Sequence, residues 1–220
     1  MSKSKKIWYN DKKVLKVTNM YEMNKGFACL KTPFEARNCE SWEIYPRPQM
    51  KRESYISLSG EWELISKLDN TEKLLGRIKV PFVPESRISG IFRKKKKREK
   101  YIYKRNIEIP EGFNVGRILL HFGAVVQICK VFVNDSLVGE HIGGYLPFSF
   151  EIGEYLYEGE NTVAVEVTDE LDTDLAYGKQ CKNRGGMWYT PCSGIWQTVW
   201  LEFRYYPESP VCILRQKEKC

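Results

Sequence analysis

Histidine is nearly absent from this sequence. His121 and His141 are its only two, and no third ligand lies at metal spacing from either, so a metal centre is not expected and both read as structural side chains. Long apolar runs are also missing. The start, Met1-Ser2-Lys3-Ser4-Lys5-Lys6, is charged, but no apolar stretch of leader length follows it and none elsewhere is long enough to cross a bilayer. A soluble, cytoplasmic protein without membrane contact is the expectation. The seven cysteines, Cys29, Cys39, Cys129, Cys181, Cys192, Cys212 and Cys220, lack a pattern: no CxxC pair occurs, the number is odd and the spacing irregular. That excludes a zinc ribbon and a disulfide framework, and points to reduced thiols in a reducing compartment. Amphipathic helical periodicity is almost wholly absent, which argues against a helical bundle.

What the chain does have is aromatic and basic residues. Aromatics make up 13% of the sequence, enough to mark a folded, strand-favouring chain and not a disordered one. The net charge of +7 owes much to one run, Arg93-Lys94-Lys95-Lys96-Lys97-Arg98. Like charges in sequence repel and stay hydrated, so the run reads as a solvated loop between strands. Contact with a polyanion is the competing reading, testable by salt-sensitive retention on heparin. Zinc-finger, RNP and helix-turn-helix patterns are all missing, and nucleic acid is not expected as a partner.

From Tyr55 onward, period-two alternation recurs with turn residues between the runs. Tyr101, Tyr103, Ile107 and Ile109 share one face; so do Ile118, Leu120 and Phe122, then Cys129, Val131 and Val133. Asn134-Asp135 supplies a tight turn. Pro147–Ile152 reads as a short strand, Val163, Val165 and Val167 mark another, and one final strand is expected from Ile195 to Phe203. The fold class is therefore all-β: a two-sheet antiparallel jelly-roll sandwich over residues 51–203. It is preceded by an N-terminal arm over 1–50 packing on it and followed by a short tail, 204–220. Residues 171–194, rich in Asp and Gly, show no strand and form the long excursion where function is expected.

Blocks in fixed order now resemble one family. Ser57-Leu58-Ser59-Gly60-Glu61-Trp62, Val80-Pro81-Phe82-Val83-Pro84-Glu85-Ser86, Tyr103-Lys104-Arg105 and Leu120-His121-Phe122-Gly123-Ala124-Val125 come first. Val131-Phe132-Val133-Asn134, Gly139–Phe148, Glu158–Val165 and Ser193–Glu202 follow. Together they are similar to the N-terminal sugar-binding domain of family 2 glycoside hydrolases of β-galactosidase or β-glucuronidase type. The resemblance implies a galactose-binding-like jelly roll that precedes an immunoglobulin-like sandwich and a catalytic barrel in full-length relatives. It implies that both catalytic glutamates of a retaining mechanism lie in that barrel. The expectation is a chain cut off before the barrel: inactive alone, without catalytic residues or cofactor, and shaping one edge of an active site. Its partner would be a β-galactoside or β-glucuronide, bound weakly or only with the barrel present. A homo-oligomer is compatible with this reading. A free-standing, lectin-like carbohydrate-binding module is the alternative.

Four residues are candidates for the substrate-adjacent rim. Asp172 and Asp174 can accept hydrogen bonds from sugar hydroxyls, and Trp188 and Tyr189 can stack on a pyranose face, against the simpler reading of domain packing. The larger group Asp169, Glu170, Asp172 and Asp174 reads as a solvated acidic loop and not as an acid/base pair, for want of surroundings that would shift its pKa values. In some β-galactosidases of the family an Asp precedes the Met-Trp pair. Gly186 stands there in this chain, which counts against galactose selectivity.

Overall fold

The structure, a computed structural model, describes residues 54–111, 116–171, 173–181 and 186–204. The expected N-terminal arm, all of the tail beyond Arg204 and Asp172 lie outside the described residues.

Period-two alternation becomes paired strand along most of the described chain. In order, the strands are β1 (Tyr55–Ser57), β2 (Gly60–Leu68), β3 (Thr71–Val80), β4 (Lys100–Ile109), β5 (Arg117–Phe122), β6 (Val125–Val126), β7 (Ile128–Val133), β8 (Ser136–Ile142), β9 (Phe148–Glu151), β10 (Gly159–Thr168), β11 (Gly194–Ile195) and β12 (Val199–Arg204). They form one sheet in the order β1-β12-β5-β9, a larger one in the order β3-β2-β4-β10-β7-β8, and a small β11-β6 pair. All of these pairings are antiparallel.

The inward residues of the two large sheets meet in a single core. Trp62, Leu64, Tyr101, Tyr103, Val131, Val163 and Val165 from one sheet, and Ile118, Leu120, Phe122, Val199 and Leu201 from the other, are buried in one cluster. Each aliphatic side chain so buried contributes about 1.5–3 kcal/mol, which is why the alternating positions fix the architecture. The central register is unbroken from Gly159↔Ile109 to Thr168↔Lys100, so a one-residue slip would turn all of β10 inside out.

Polar motif residues close the turns. Asn134 and Asp135 have φ of 48° and 64° between β7 and β8, the left-handed pair that a two-residue hairpin requires. The Asn134 amide then donates to Asn161 Oδ1 at 2.8 Å, while its Oδ1 accepts the Thr162 N–H at 2.9 Å. Asn161 is buried and is bonded to the backbone of Tyr157 and Gly159. The two asparagines thus satisfy backbone groups that the end of the sandwich would otherwise bury unpaired.

One expectation needs correction. The run from Ile195 to Phe203 is not a single strand: β11 pairs with β6, β12 pairs with β5, and residues 196–198 cross between them. The partner chain breaks at the same level, at Gly123-Ala124. A Cβ on Gly123 would lie 2.6 Å from the Gln197 Cβ, so glycine is what lets the two crossings pass. The β2–β3 hairpin, turning at Asp69-Asn70, was not anticipated beyond its opening block; most of β3 is exposed edge with little alternation to read.

Candidate functional site

The excursion from Leu171 to Ser193 leaves the sandwich after β10 and returns just before β11. Its described parts fold back on themselves. Tyr189 N–H donates to Lys179 O at 2.8 Å and Cys181 N–H to Tyr189 O at 3.2 Å, so two stretches run side by side as a single bridge. Gln180 ties this bridge to the root of the excursion, its Oε1 accepting the Cys192 N–H at 2.6 Å. Below, Tyr145 packs edge-on against Trp196 at 5.8 Å, and the Trp196 indole donates to Gly144 O at 2.8 Å. The Gln180 amide donates to the Tyr145 hydroxyl at 3.3 Å, so the loop rests on this pair.

At its outer surface Met187, Trp188 and Tyr189 are exposed, by 67%, 44% and 63%. Trp188 lines a groove of about 410 Å³ with Leu171, Thr173, Tyr177 and Gln180. Of the four sequence candidates, Trp188 is in this groove. Tyr189 is exposed beside it, Asp174 is exposed on the same excursion, and Asp172 lies outside the described residues. Tyr177 and Gln180 were missed, because an isolated Tyr and Gln in a strandless segment carry no periodic signal.

A second concavity, about 230 Å³, opens at the root of the excursion, between Glu85, Asp169, Glu170, Ser193 and the Lys94–Lys97 run. Glu85 Oε2 accepts the Ser193 N–H at 3.1 Å, while Glu85 Oε1 is buried with no hydrogen-bond partner. Asp169 Oδ1 accepts the Leu171 N–H at 3.0 Å. Burial pushes both carboxyls above their ordinary values; hydrogen bonds from Ser193 and, for Asp169, Leu171 offset part of the rise, and the two acids repel each other's charge at Glu85. The Cys192 thiol is likewise pushed up, by burial and by these two acids, so a reactive thiolate is disfavoured there.

Two expectations change here. Asp169 is not part of a solvated acidic loop: it is 5% exposed and its acidity is shifted by that burial. Nor is the basic run merely hydrated. Lys95 Nζ, nearly buried, pairs with Glu170 at 2.9 Å, and the Arg98 N–H donates to the same carboxylate at 2.8 Å. Arg93 pairs at 2.7 Å with the buried Glu99, which also accepts the Ser66 hydroxyl and, at 2.6 Å, the Lys96 N–H. Acids distant in sequence neutralise part of the run, which a local count of like charges does not foresee. Burial pushes the Glu99 carboxyl up, but these donors more than compensate and hold it below its ordinary value.

The histidines are packing groups: His141 stacks on Phe148 at 3.9 Å and His121 on Trp200 at 4.9 Å. Among the described residues no group of His, Cys, Asp and Glu is arranged to hold a metal ion, and no helix is long and apolar enough to cross a membrane.

Sequence comparison finds 34% identity over 102 residues with a β-galactosidase of Thermoanaerobacter pseudethanolicus, covering 46% of this chain and 13% of that protein. A β-glucuronidase of Streptococcus agalactiae is 33% identical over 141 residues, covering 61% of this chain and 23% of its own length. The chain thus spans less than a quarter of these relatives. Among solved structures, a β-glucuronidase from an uncultured Clostridium superposes with a TM-score of 0.53 at 23% identity, over 69% of this chain and 29% of that one. The Bifidobacterium dentium β-glucuronidase gives 0.52 at 20% identity, over 69% and 30%. These superpositions speak for the fold alone. Residues 50–203, which hold both sheets and the rim, match the sugar binding domain of the glycosyl hydrolases family 2, and the chain belongs to that family.

Proposed function

We propose that this chain is the non-catalytic N-terminal domain of a glycosidase acting on β-galactosides or β-glucuronides, and that the Leu171–Ser193 rim forms one edge of the active site. The observation that carries the reading is the exposed Met187-Trp188-Tyr189 tip, held by backbone bridges and beside a groove that Tyr177 and Trp188 line. Aromatic rings present an apolar face to a sugar ring, and the Gln180 amide adds a polar group beside them. The free thiols Cys129, Cys181 and Cys192 suit a cytoplasmic setting.

Activity on chromogenic β-galactoside and β-glucuronide tests it. The chain alone is expected to turn over neither, and clear turnover would sink the non-catalytic assignment. The lectin-like alternative draws on the same groove and requires that the isolated chain bind a sugar at millimolar concentration or better. A flat titration across a glycan panel removes it.

A further inference from the structure

Strand alternation places His121, Trp200 and Glu202 on the outer face of the four-stranded sheet, because their neighbours Leu120, Phe122, Val199 and Leu201 point into the core. They are nevertheless only 3%, 2% and 1% exposed. An uncovered sheet face is not so deeply buried. On the outer face of the larger sheet Glu63, Asn106, Glu108 and Glu160 are exposed, and so are Ser149 and Glu151 on β9 of the small sheet. Some stretch of the chain itself therefore lies over β12 and β5 and stops short of β9. The group beneath it has a definite chemistry. The His121 and Trp200 rings stack at 4.9 Å, and Glu202 Oε1 accepts the Trp200 indole N–H at 3.0 Å. Glu202 Oε2 is 3.6 Å from His121 Nε2, a group charged only when protonated. A carboxylate so deeply buried is costly without a cation, so the cover has to bring apolar surface for the rings and a positive charge for Glu202.

We propose that residues 40–53 of this chain dock on that outer face, with a cation from among Arg47, Lys51 and Arg52 paired with Glu202, and with Trp42, Tyr45 and Met50 over the Trp200–His121 stack. Glu40–Cys220 is one compact unit and Met1–Cys39 another, which sets where the segment begins. It leads into β1, where the Ser54 hydroxyl donates to Phe203 O at 2.9 Å and the Phe203 N–H to Ser54 O at 3.1 Å, so it enters beside the buried group. Pro46 and Pro48 favour an extended backbone over a helix. At about 3.3 Å per extended residue, the segment is long enough to cross strands about 4.8 Å apart. The stretch on the other flank, 205–220, brings Glu208 before its first cation, Arg215, and so meets Glu202 with like charge. Most of the docking segment precedes residues 50–203, so the cover comes largely from outside the stretch that matches the family.

The test combines NMR of the isotopically labelled full chain with a double-mutant cycle. The Trp200 indole and His121 ring protons are expected to show nuclear Overhauser contacts to side chains of residues 40–53. Contacts to residues 205–220 instead, or to neither stretch, overturn the proposal. In urea denaturation of the full chain, Glu202→Gln and the triple variant Arg47→Gln/Lys51→Gln/Arg52→Gln are each expected to lower the folding equilibrium constant. Combined, they should lower it by at least about fivefold less than the product of their separate effects, because one pair is broken only once. Fully additive effects overturn the proposal. Where Glu202→Gln does not fold, the variant Trp42→Ala/Tyr45→Ala decides: it should shift the Trp200 indole resonance and leave Asn106 and Glu108, on the outer face of the other sheet, unmoved. An unmoved Trp200 resonance overturns the docking. No sugar enters these measurements, so their outcome is separate from turnover of the chromogenic substrates.

Discussion

Glu99 and Glu85 flank the same lysine-rich loop, and both carry buried carboxylate oxygens, yet they are opposites in acidity. Glu99 has Arg93, the Ser66 hydroxyl and the Lys96 N–H, and its carboxyl sits below the ordinary range. Glu85 has the Ser193 N–H on one oxygen, nothing on the other, and Asp169 for a charged neighbour; burial raises it. The difference shows that burial alone does not decide what a carboxylate does. The donors around it decide in which direction its acidity moves.

Breaking the Glu99 station gives the largest expected effect. Glu99→Ala leaves Arg93 and the Lys96 N–H without their partner and should cost about 3 kcal/mol of folding stability, read from urea denaturation. Less than about 1 kcal/mol would show that the pair is not an anchor. Next comes the root of the rim. Gly194 has φ of +82°, and a Cβ there would overlap the Tyr103 hydroxyl, so Gly194→Ala should cost about 2 kcal/mol. A neutral result would mean that β11 can shift without cost.

The pH dependence sharpens the contrast further. Glu85 and Asp169 titrate above their ordinary 4.5 and 3.8, so the folded state holds these protons more tightly than the unfolded chain. Their contribution to stability is full below those ordinary values and is lost as pH rises through the raised folded ones. Glu99 runs the other way from its ordinary 4.5: its contribution is present above that value and lost as pH falls through the lowered folded one. Glu85→Gln should therefore lessen the loss of thermal stability as pH rises, and Glu99→Gln the loss on acidification. Identical melting profiles for wild type and Glu85→Gln across that range would contradict the raised acidity. The smallest effect is expected at the rim, where Trp188→Ala should change stability by no more than about 0.5 kcal/mol. A larger loss, measured in the same urea series, would make Trp188 a packing residue.

The sandwich was open to reading because its signal is local and repeated. Val163, Val165 and Val167, or Ile118, Leu120 and Phe122, declare a buried face through spacing alone, and all six are buried where that spacing puts them. The break at residues 196–198 was hidden because the apolar parity of Ile195 resumes at Val199 beyond Gln197; only the partner strand shows that the chain has changed sheets. At the rim, Trp188 was legible as an aromatic in a Gly-rich loop. Glu85 was quoted as part of a motif without chemical meaning, since its role depends on Ser193, which lies 108 positions away.

The amino-acid order by itself determined most of the strands, the turn at Asn134-Asp135 and the family, because each rests on side chains within a few residues of one another. Only the tertiary structure decided which acids are solvated, which lysines are spent and which carboxylate oxygen lacks a donor. Desolvation and pairing depend on neighbours that the sheets bring in from far along the chain, and no local pattern records them.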